Sequence, residues 1–176
     1  MPYKYIYPYD YAEVHSGFPD TAYGCGTKCI YENSSIEATL QKFYSLDDEG
    51  LGDKKLNYGY LYFKPITIVT GKNENKRLCF YKENTTYSCT TVTWNDFDNF
   101  PTPTIITSGY FYLEEGEWQT MYIPEDKISL FNKTSYTATS MYPLESVYIE
   151  DFEIKVYVEY EETTQFCGRN CRDLGR

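Results

Sequence analysis

The alternation of apolar and polar residues near the end of the sequence is the feature that most limits the fold. From Phe152 to Tyr160 every second residue is apolar, and charged side chains fill most of the positions between them. A period of two residues is typical of a β-strand with one face in a core and the other in water. The segment therefore predicts a half-buried antiparallel strand.

Similar patterns along most of the chain predict an all-β fold. The apolar area is largely aromatic, with 21 Tyr and 10 Phe in 176 residues, and aromatic side chains suit a pleated surface. Turn residues separate the further predicted strands, which are 58–63, 66–70, 78–82, 87–94, 104–113, 118–123 and 128–131. We expect a single antiparallel β-sandwich or barrel, stapled by disulfides.

One segment carries a helical pattern instead. Ser34 to Glu37 has the spacing of a capping box, and Ile36, Leu40 and Phe43 recur at helical intervals. This pattern predicts one short helix at about residues 35–45.

The N-terminal segment is rich in tyrosine at alternate positions. These residues are Tyr3, Tyr5, Tyr7, Tyr9 and Tyr11. In an extended chain their rings share one face, and Pro8 restricts the segment to an edge strand or a free arm. We expect an extended arm over residues 1–20 and a single β domain over 21–176. The arm either packs on its own domain, or it adds to a neighbour's sheet edge or presents an adhesive tyrosine face.

Six cysteines occur as three local pairs, which indicates disulfide bonds and an oxidising compartment. Cys79 and Cys89 flank Asn84, so a disulfide across a β-hairpin is predicted there. The other four are Cys25, Cys29, Cys167 and Cys171, in two similar Cys-Gly-x-x-Cys contexts near the chain ends. We expect bonds between these two clusters, with their connectivity open. A four-thiolate zinc site is the alternative, but such sites more often use two-residue spacers.

Three N-glycosylation sequons support the same compartment. They begin at Asn33, Asn84 and Asn132, and Asn84 falls at the tip of the predicted hairpin. The sequence therefore predicts a secreted glycoprotein.

Charge excludes two classes of partner. The formal net charge is -10 and the pI is near 4.6. Nucleic acid and anionic lipid both require clustered Lys and Arg, so neither is expected as a partner.

No run of about 18 apolar residues is present, so no membrane span is expected.

Candidate catalytic and metal-binding residues are few. His15 is the only histidine and no nucleophile motif accompanies it, while Glu150 and Glu153 fall on opposite faces of a strand. We therefore predict no catalytic residue and no cofactor. Asp96 and Asp98 are weak calcium candidates in an oxygen-rich loop.

Aromatic side chains are the remaining candidates for binding. Trp94, Trp118, Tyr110 and Tyr112 are suited either to stacking on sugar rings or to the core. The leading hypothesis is a non-enzymatic, structural or self-associating extracellular protein that uses the tyrosine-rich arm. The alternative is a secreted binding module that recognises a glycan or a host or partner protein.

Overall fold

The computed structural model describes residues 1–162, which form an antiparallel β structure with ten strands and two short helices. The expectation of an all-β fold is confirmed. In chain order the elements are β1 (Tyr3–Ile6), β2 (Pro8–His15), β3 (Ile30–Glu32), β4 (Ile36–Phe43), β5 (Lys55–Thr70), β6 (Asn75–Lys82), α1 (Trp94–Asp98), β7 (Thr104–Tyr112), β8 (Gln119–Ile123), α2 (Glu125–Ile128), β9 (Thr137–Pro143) and β10 (Val147–Glu161).

The strands form one curved sheet that is nearly closed into a barrel. Their hydrogen-bonded order is β7-β6-β9-β4-β3-β10-β5-β8, with β1 added to β10 and β2 added to β4. The two ends of this order approach each other, since the Thr107 hydroxyl on β7 donates to the Tyr122 carbonyl on β8 at 3.0 Å. The curvature encloses the main core and leaves the other face of each strand outside.

The main core confirms the alternation seen in the sequence of β10. Phe152, Ile154, Val156 and Val158 are all buried against the facing strands. The ring of Phe152 lies 5.2 Å from that of Phe63 on β5, which contacts a ring on β7 in turn. Burying each side chain of this size contributes about 1.5–3 kcal/mol, so the core rests on these alternating positions.

The N-terminal segment is extended, but it is not a free arm. β1 pairs with β10, from Tyr3 opposite Glu159 to Ile6 opposite Val156, and β2 pairs with β4. The chain changes partner strand between Ile6 and Pro8, with an irregular register after Pro8. This break means that the five tyrosine rings do not share one face, contrary to the prediction.

The helix predicted at residues 35–45 is wrong, because this segment is strand β4. Ala38, Thr39, Leu40 and Gln41 are all buried, so both faces of the strand are covered and no alternation is visible in the sequence. Ser34 and its neighbours form the turn between β3 and β4 rather than a helix cap.

The predicted hairpin between Cys79 and Cys89 is also wrong. β6 carries Cys79, but its two edges are occupied by β7 and β9, which leaves no edge for a returning strand. Residues 87–94 run through turns into α1, and residues 128–131 follow from α2. The sulfur of Cys89 is bonded instead to Cys25, at a sequence separation of 64.

Residues 83–103, here called the covering loop, close a second apolar cluster on the outside of the sheet. Tyr87 and Val92 of this loop pack on Val14 and Leu40 of β2 and β4. α1 begins at a capping box, in which Asp96 accepts a hydrogen bond from the Thr93 backbone. The Cys25–Cys89 disulfide ties the covering loop to the segment that follows β2.

The other cysteines are not joined to each other in the described part of the chain. Cys29 and Cys79 are buried and free within residues 1–162. Because Cys25 is bonded to Cys89, the predicted bond from Cys25 to the C-terminal cluster is wrong. Cys167 and Cys171 lie outside the described residues, so a bond from Cys29 to that cluster stays a prediction. Among residues 1–162, neither helix has the length or the apolar content needed to cross a membrane.

We expect the double variant Cys25→Ala/Cys89→Ala to lose about 4 kcal/mol of unfolding free energy in the chain-entropy model, because the bond closes a long loop. Urea unfolding followed by circular dichroism measures this loss. Cys79→Ala is the control, which retains the disulfide and costs only about 1 kcal/mol for a small buried truncation. A peptide map that finds Cys79 bonded to Cys89 would contradict the assignment.

Candidate functional site

Tyrosines from four neighbouring strands form a row across the outside of the sheet. Tyr5 lies opposite Tyr157, Tyr157 opposite Tyr60, and Tyr60 opposite Tyr122. The ring centroids of successive residues are 5.6, 6.0 and 5.6 Å apart. Aromatic pairs at such distances are mutually stabilising, so the row is an ordered surface.

Two further rows flank the tyrosine row. On one side Glu159 lies between Tyr3 and Tyr58, and on the other side Lys155 lies opposite Tyr62. Trp118, just before β8, extends the second row, with its ring 6.1 Å from that of Tyr62. We call this surface the aromatic face, and its rings are those of Tyr3, Tyr5, Tyr58, Tyr60, Tyr62, Trp118, Tyr122 and Tyr157.

The aromatic face follows from the alternation that builds the core. On β10 the neighbours Val156 and Val158 point inward, so Tyr157 between them points outward. On β5 the buried residues Leu61 and Phe63 leave Tyr60 and Tyr62 on the outside in the same way. A shift of one residue in either register would exchange the buried side chains with the outward-facing ones. The buried core therefore fixes the register.

Two lysine side chains lie over rings of the aromatic face. The Lys155 ammonium is 4.3 Å from the centroid of Tyr5, 4.4 Å from that of Trp118 and 5.3 Å from that of Tyr62. The Lys64 ammonium is 4.9 Å from the Trp118 centroid. These cation–π contacts hold the rings and place positive charge in a chain that is acidic overall.

Some phenols of the aromatic face have raised pKa values. A hydrogen bond to Glu159, together with burial, raises the pKa of Tyr58 to about 12. A hydrogen bond to Tyr62 and burial raise the pKa of Tyr5. Neutral phenols both donate and accept hydrogen bonds, so the face offers apolar ring surface together with polar groups.

Part of the aromatic face is open to solvent. Tyr3 is 58% exposed and Tyr122 is 53% exposed, while the rings between them are half-buried. Partly exposed rings that contact one another on one surface mark a binding surface more often than scattered apolar residues do. The arrangement is suited to stacking on a ligand and exchanging hydrogen bonds with it.

Only part of the tyrosine-rich N-terminus contributes to this surface. Tyr3 and Tyr5 belong to the aromatic face, and Tyr7 is exposed at the turn beside it. Tyr9 packs against Tyr44 instead, at 4.6 Å between centroids. Tyr11 turns inward, where its ring contacts Phe152 and burial raises its pKa.

Sequence reasoning missed most of the aromatic face. Tyr58, Tyr60 and Tyr62 alternate in the sequence as clearly as the N-terminal tyrosines do, and this signal was available. Of the residues predicted for sugar stacking, Trp118 lies on the face, while Trp94 belongs to the covering loop and packs against the second apolar cluster. Tyr110 and Tyr112 are exposed on β7.

His15 lies in a polar cluster elsewhere on the sheet. Its Nε2 contacts the carboxylate of Glu37, and its Nδ1 accepts a hydrogen bond from the Gly17 backbone at 3.0 Å. Cys29 lies close to Glu37 and Glu13. Burial and the neighbouring carboxylates raise the pKa of the Cys29 thiol, which therefore stays protonated and a poor nucleophile.

The remaining candidates have structural contacts. Glu153 pairs with Lys64 at 3.0 Å, and Glu150 is exposed. The carboxylate of Asp96 caps α1, and Asp98 is exposed at the end of that helix. Within residues 1–162, neither Asp96 nor Asp98 belongs to a group of three or more potential metal ligands.

Comparison with known proteins shows distant structural similarity but no sequence relative. The sequence matches no protein-family profile, and no curated protein is significantly similar to it. The fold resembles that of the K1 cleaved adhesin domain of Lys-gingipain from Porphyromonas gingivalis W83. The TM-score is 0.39 at 10% sequence identity, and the similarity covers 92% of this chain and 94% of that domain.

We expect Lys155→Met to lower the unfolding free energy by about 1 kcal/mol, because it removes the ammonium from three rings but keeps the apolar stem. Urea unfolding measures the change. Lys133→Met is the matched control at an exposed position, expected within about 0.5 kcal/mol of the parent. Equal stability of the two variants would show that the cation–π contacts do not hold the aromatic face.

Proposed function

We propose that the chain is a non-enzymatic extracellular binding module whose aromatic face binds a carbohydrate chain. The observation that carries this proposal is the row from Tyr5 through Tyr157 and Tyr60 to Tyr122. Its rings offer surface to the apolar faces of sugar rings, and its hydroxyls offer hydrogen bonds to sugar hydroxyls.

The size of the aromatic face favours an oligosaccharide over a folded protein. Four adjacent strands span about 14 Å, and three rows along a strand face span about 14 Å as well. The resulting area of about 200 Å² is well below the ~800 Å² per partner of a standard protein interface. A short, extended ligand fits these dimensions.

The proposed location outside the cell is supported by the covalent chemistry of the chain. The Cys25–Cys89 disulfide joins segments far apart in the sequence, and such bonds persist in oxidising compartments. The three sequons agree with passage through a glycosylating secretory pathway.

Tyr60→Ala and Tyr122→Ala are expected to weaken oligosaccharide binding at least tenfold each, because each removes a ring from the tyrosine row. A glycan array selects the oligosaccharide, and isothermal titration calorimetry then measures its affinity. Tyr110→Ala is the matched control, since Tyr110, like Tyr122, is an exposed tyrosine but lies on β7. An array without any binding, or equal losses in all three variants, would reject the proposal.

Self-association through the same face is the second candidate. The observation in its favour is that Tyr3, exposed on the outermost strand β1, lies beside an edge with no strand partner within residues 1–162. Light scattering after size-exclusion chromatography tests it with Tyr3→Ser. Deleting the N-terminal residues is a poorer test, because β1 and β2 are part of the sheet. Finding only monomers at high protein concentration would reject self-association.

Among the sequons, we expect the highest glycan occupancy at Asn33. Its side chain is exposed and makes no hydrogen bond to other residues in the range 1–162. The amide nitrogen of Asn84 donates to the Thr102 carbonyl at 2.6 Å, and that of Asn132 donates to the Tyr136 carbonyl at 2.9 Å. Attachment at either site competes with these bonds.

Glycopeptide mass spectrometry after secretion from a eukaryotic host measures the occupancy. Thr134→Ala and Ser35→Ala, which remove the Asn132 and Asn33 sequons, are the matched controls. Higher occupancy at Asn132 than at Asn33 would contradict this expectation.

A further inference from the structure

A cavity of about 410 Å³ lies between the covering loop and strands β6 and β9. It shares no residue with the aromatic face. Its walls are aromatic, with two carboxyl groups, and the residues concerned are Tyr81, Glu83, Trp94, Phe97, Asp98, Phe100 and Tyr142.

The rings of this cavity contact one another in a continuous series. The Phe97 ring lies 5.3 Å from that of Trp94 and 5.9 Å from that of Phe100. It also lies 6.4 Å from the Tyr142 ring, which contacts Tyr81 at 6.2 Å. Rings from α1, the covering loop and both strands thus form a cage.

A buried carboxyl group belongs to the same cavity. Glu83 is only 3% exposed, and one of its oxygens accepts a hydrogen bond from the Ser140 hydroxyl at 2.7 Å. No Lys or Arg within residues 1–162 forms an ion pair with Glu83 or with Asp98. A buried carboxylate without a cation is costly, and burial accordingly raises the pKa of Glu83.

An aromatic cage and an uncompensated carboxyl group favour the same kind of ligand. Ring faces attract ammonium groups, most strongly when these are desolvated. A neutral apolar ligand would leave Glu83 without compensation, and an anion would be repelled by both carboxylates. The charge and the aromatic lining of the cavity therefore both favour a cationic ligand.

We propose that this cavity binds an alkylammonium group, with the rings around the cation and Glu83 as its counter-ion. Asp98, exposed at the rim, adds attraction for the approaching cation. The group can come from a free amine or from a lysine side chain of another protein. This proposal is independent of carbohydrate binding by the aromatic face.

The covering loop prepares the cavity before any ligand binds. The Cys25–Cys89 bond ties this loop to the segment after β2, and the capping box fixes the start of α1 at Trp94. A preformed site avoids the entropic cost of ordering the loop on binding.

The test uses the full chain with its disulfide intact and measures binding by isothermal titration calorimetry. The cationic probes are choline for a small free ammonium compound and Nα-acetyl-lysine N-methylamide, whose side-chain ammonium is free, for a lysine side chain. The neutral control is 3,3-dimethylbutanol, which has the shape of choline without its charge. We expect a cationic probe to bind at least tenfold more tightly than the neutral control.

Variants locate the bound cation. Glu83→Gln keeps the bond to Ser140 but removes the charge, and Asp98→Asn changes only the exposed rim. We expect a loss of tenfold or more for Glu83→Gln and a smaller loss for Asp98→Asn, with Tyr110→Ala unchanged. Circular dichroism confirms that each variant is folded. Equal affinity for the neutral control, no binding at millimolar concentration, or unchanged binding in both carboxyl variants would overturn the proposal.

Discussion

The pairing of β5 with β10 is the interaction on which the rest of the structure depends. The two strands run antiparallel from Lys55 opposite Glu161 to Thr70 opposite Tyr148. This register directs one set of alternating side chains into the main core and the other set outward. The core and the aromatic face are therefore two consequences of one register, and apolar burial on the inside fixes the surface chemistry on the outside.

The covering loop is the second level of organisation, and it exists because β6 has no free edge. Because β7 and β9 pair with the two edges of β6, the chain after Lys82 leaves the sheet and crosses the sheet's outer surface. Tyr87, Val92 and Trp94 then bury apolar residues of β2, β4 and β9. A disulfide stabilises this short layer, which has few backbone hydrogen bonds of its own to the sheet. The cavity lined by Glu83 is enclosed by the same crossing.

Local alternation of apolar and polar residues was enough to predict β10, most of β5 and the all-β class, because those strands have one buried face and one solvent-facing face. It failed at β4, where burial on both faces removes the contrast between neighbouring residues. It also failed for Cys89, whose partner Cys25 is distant in sequence and adjacent only after folding. The tyrosine row needs the registers of four strands together, and no single segment contains that information.

Net charge acts differently on the two aromatic sites. On the aromatic face, Lys64 and Lys155 offset Glu153 and Glu159, so the surface is locally balanced although the chain carries a formal charge of -10. Glu83 and Asp98 at the cavity form no ion pair within residues 1–162, and the field of the whole chain adds to theirs. Salt screens that field over about 10 Å at 0.1 M. Attraction of a cation to the cavity is therefore sensitive to ionic strength, whereas stacking of a neutral sugar on the face depends on ring surface and hydrogen bonds alone.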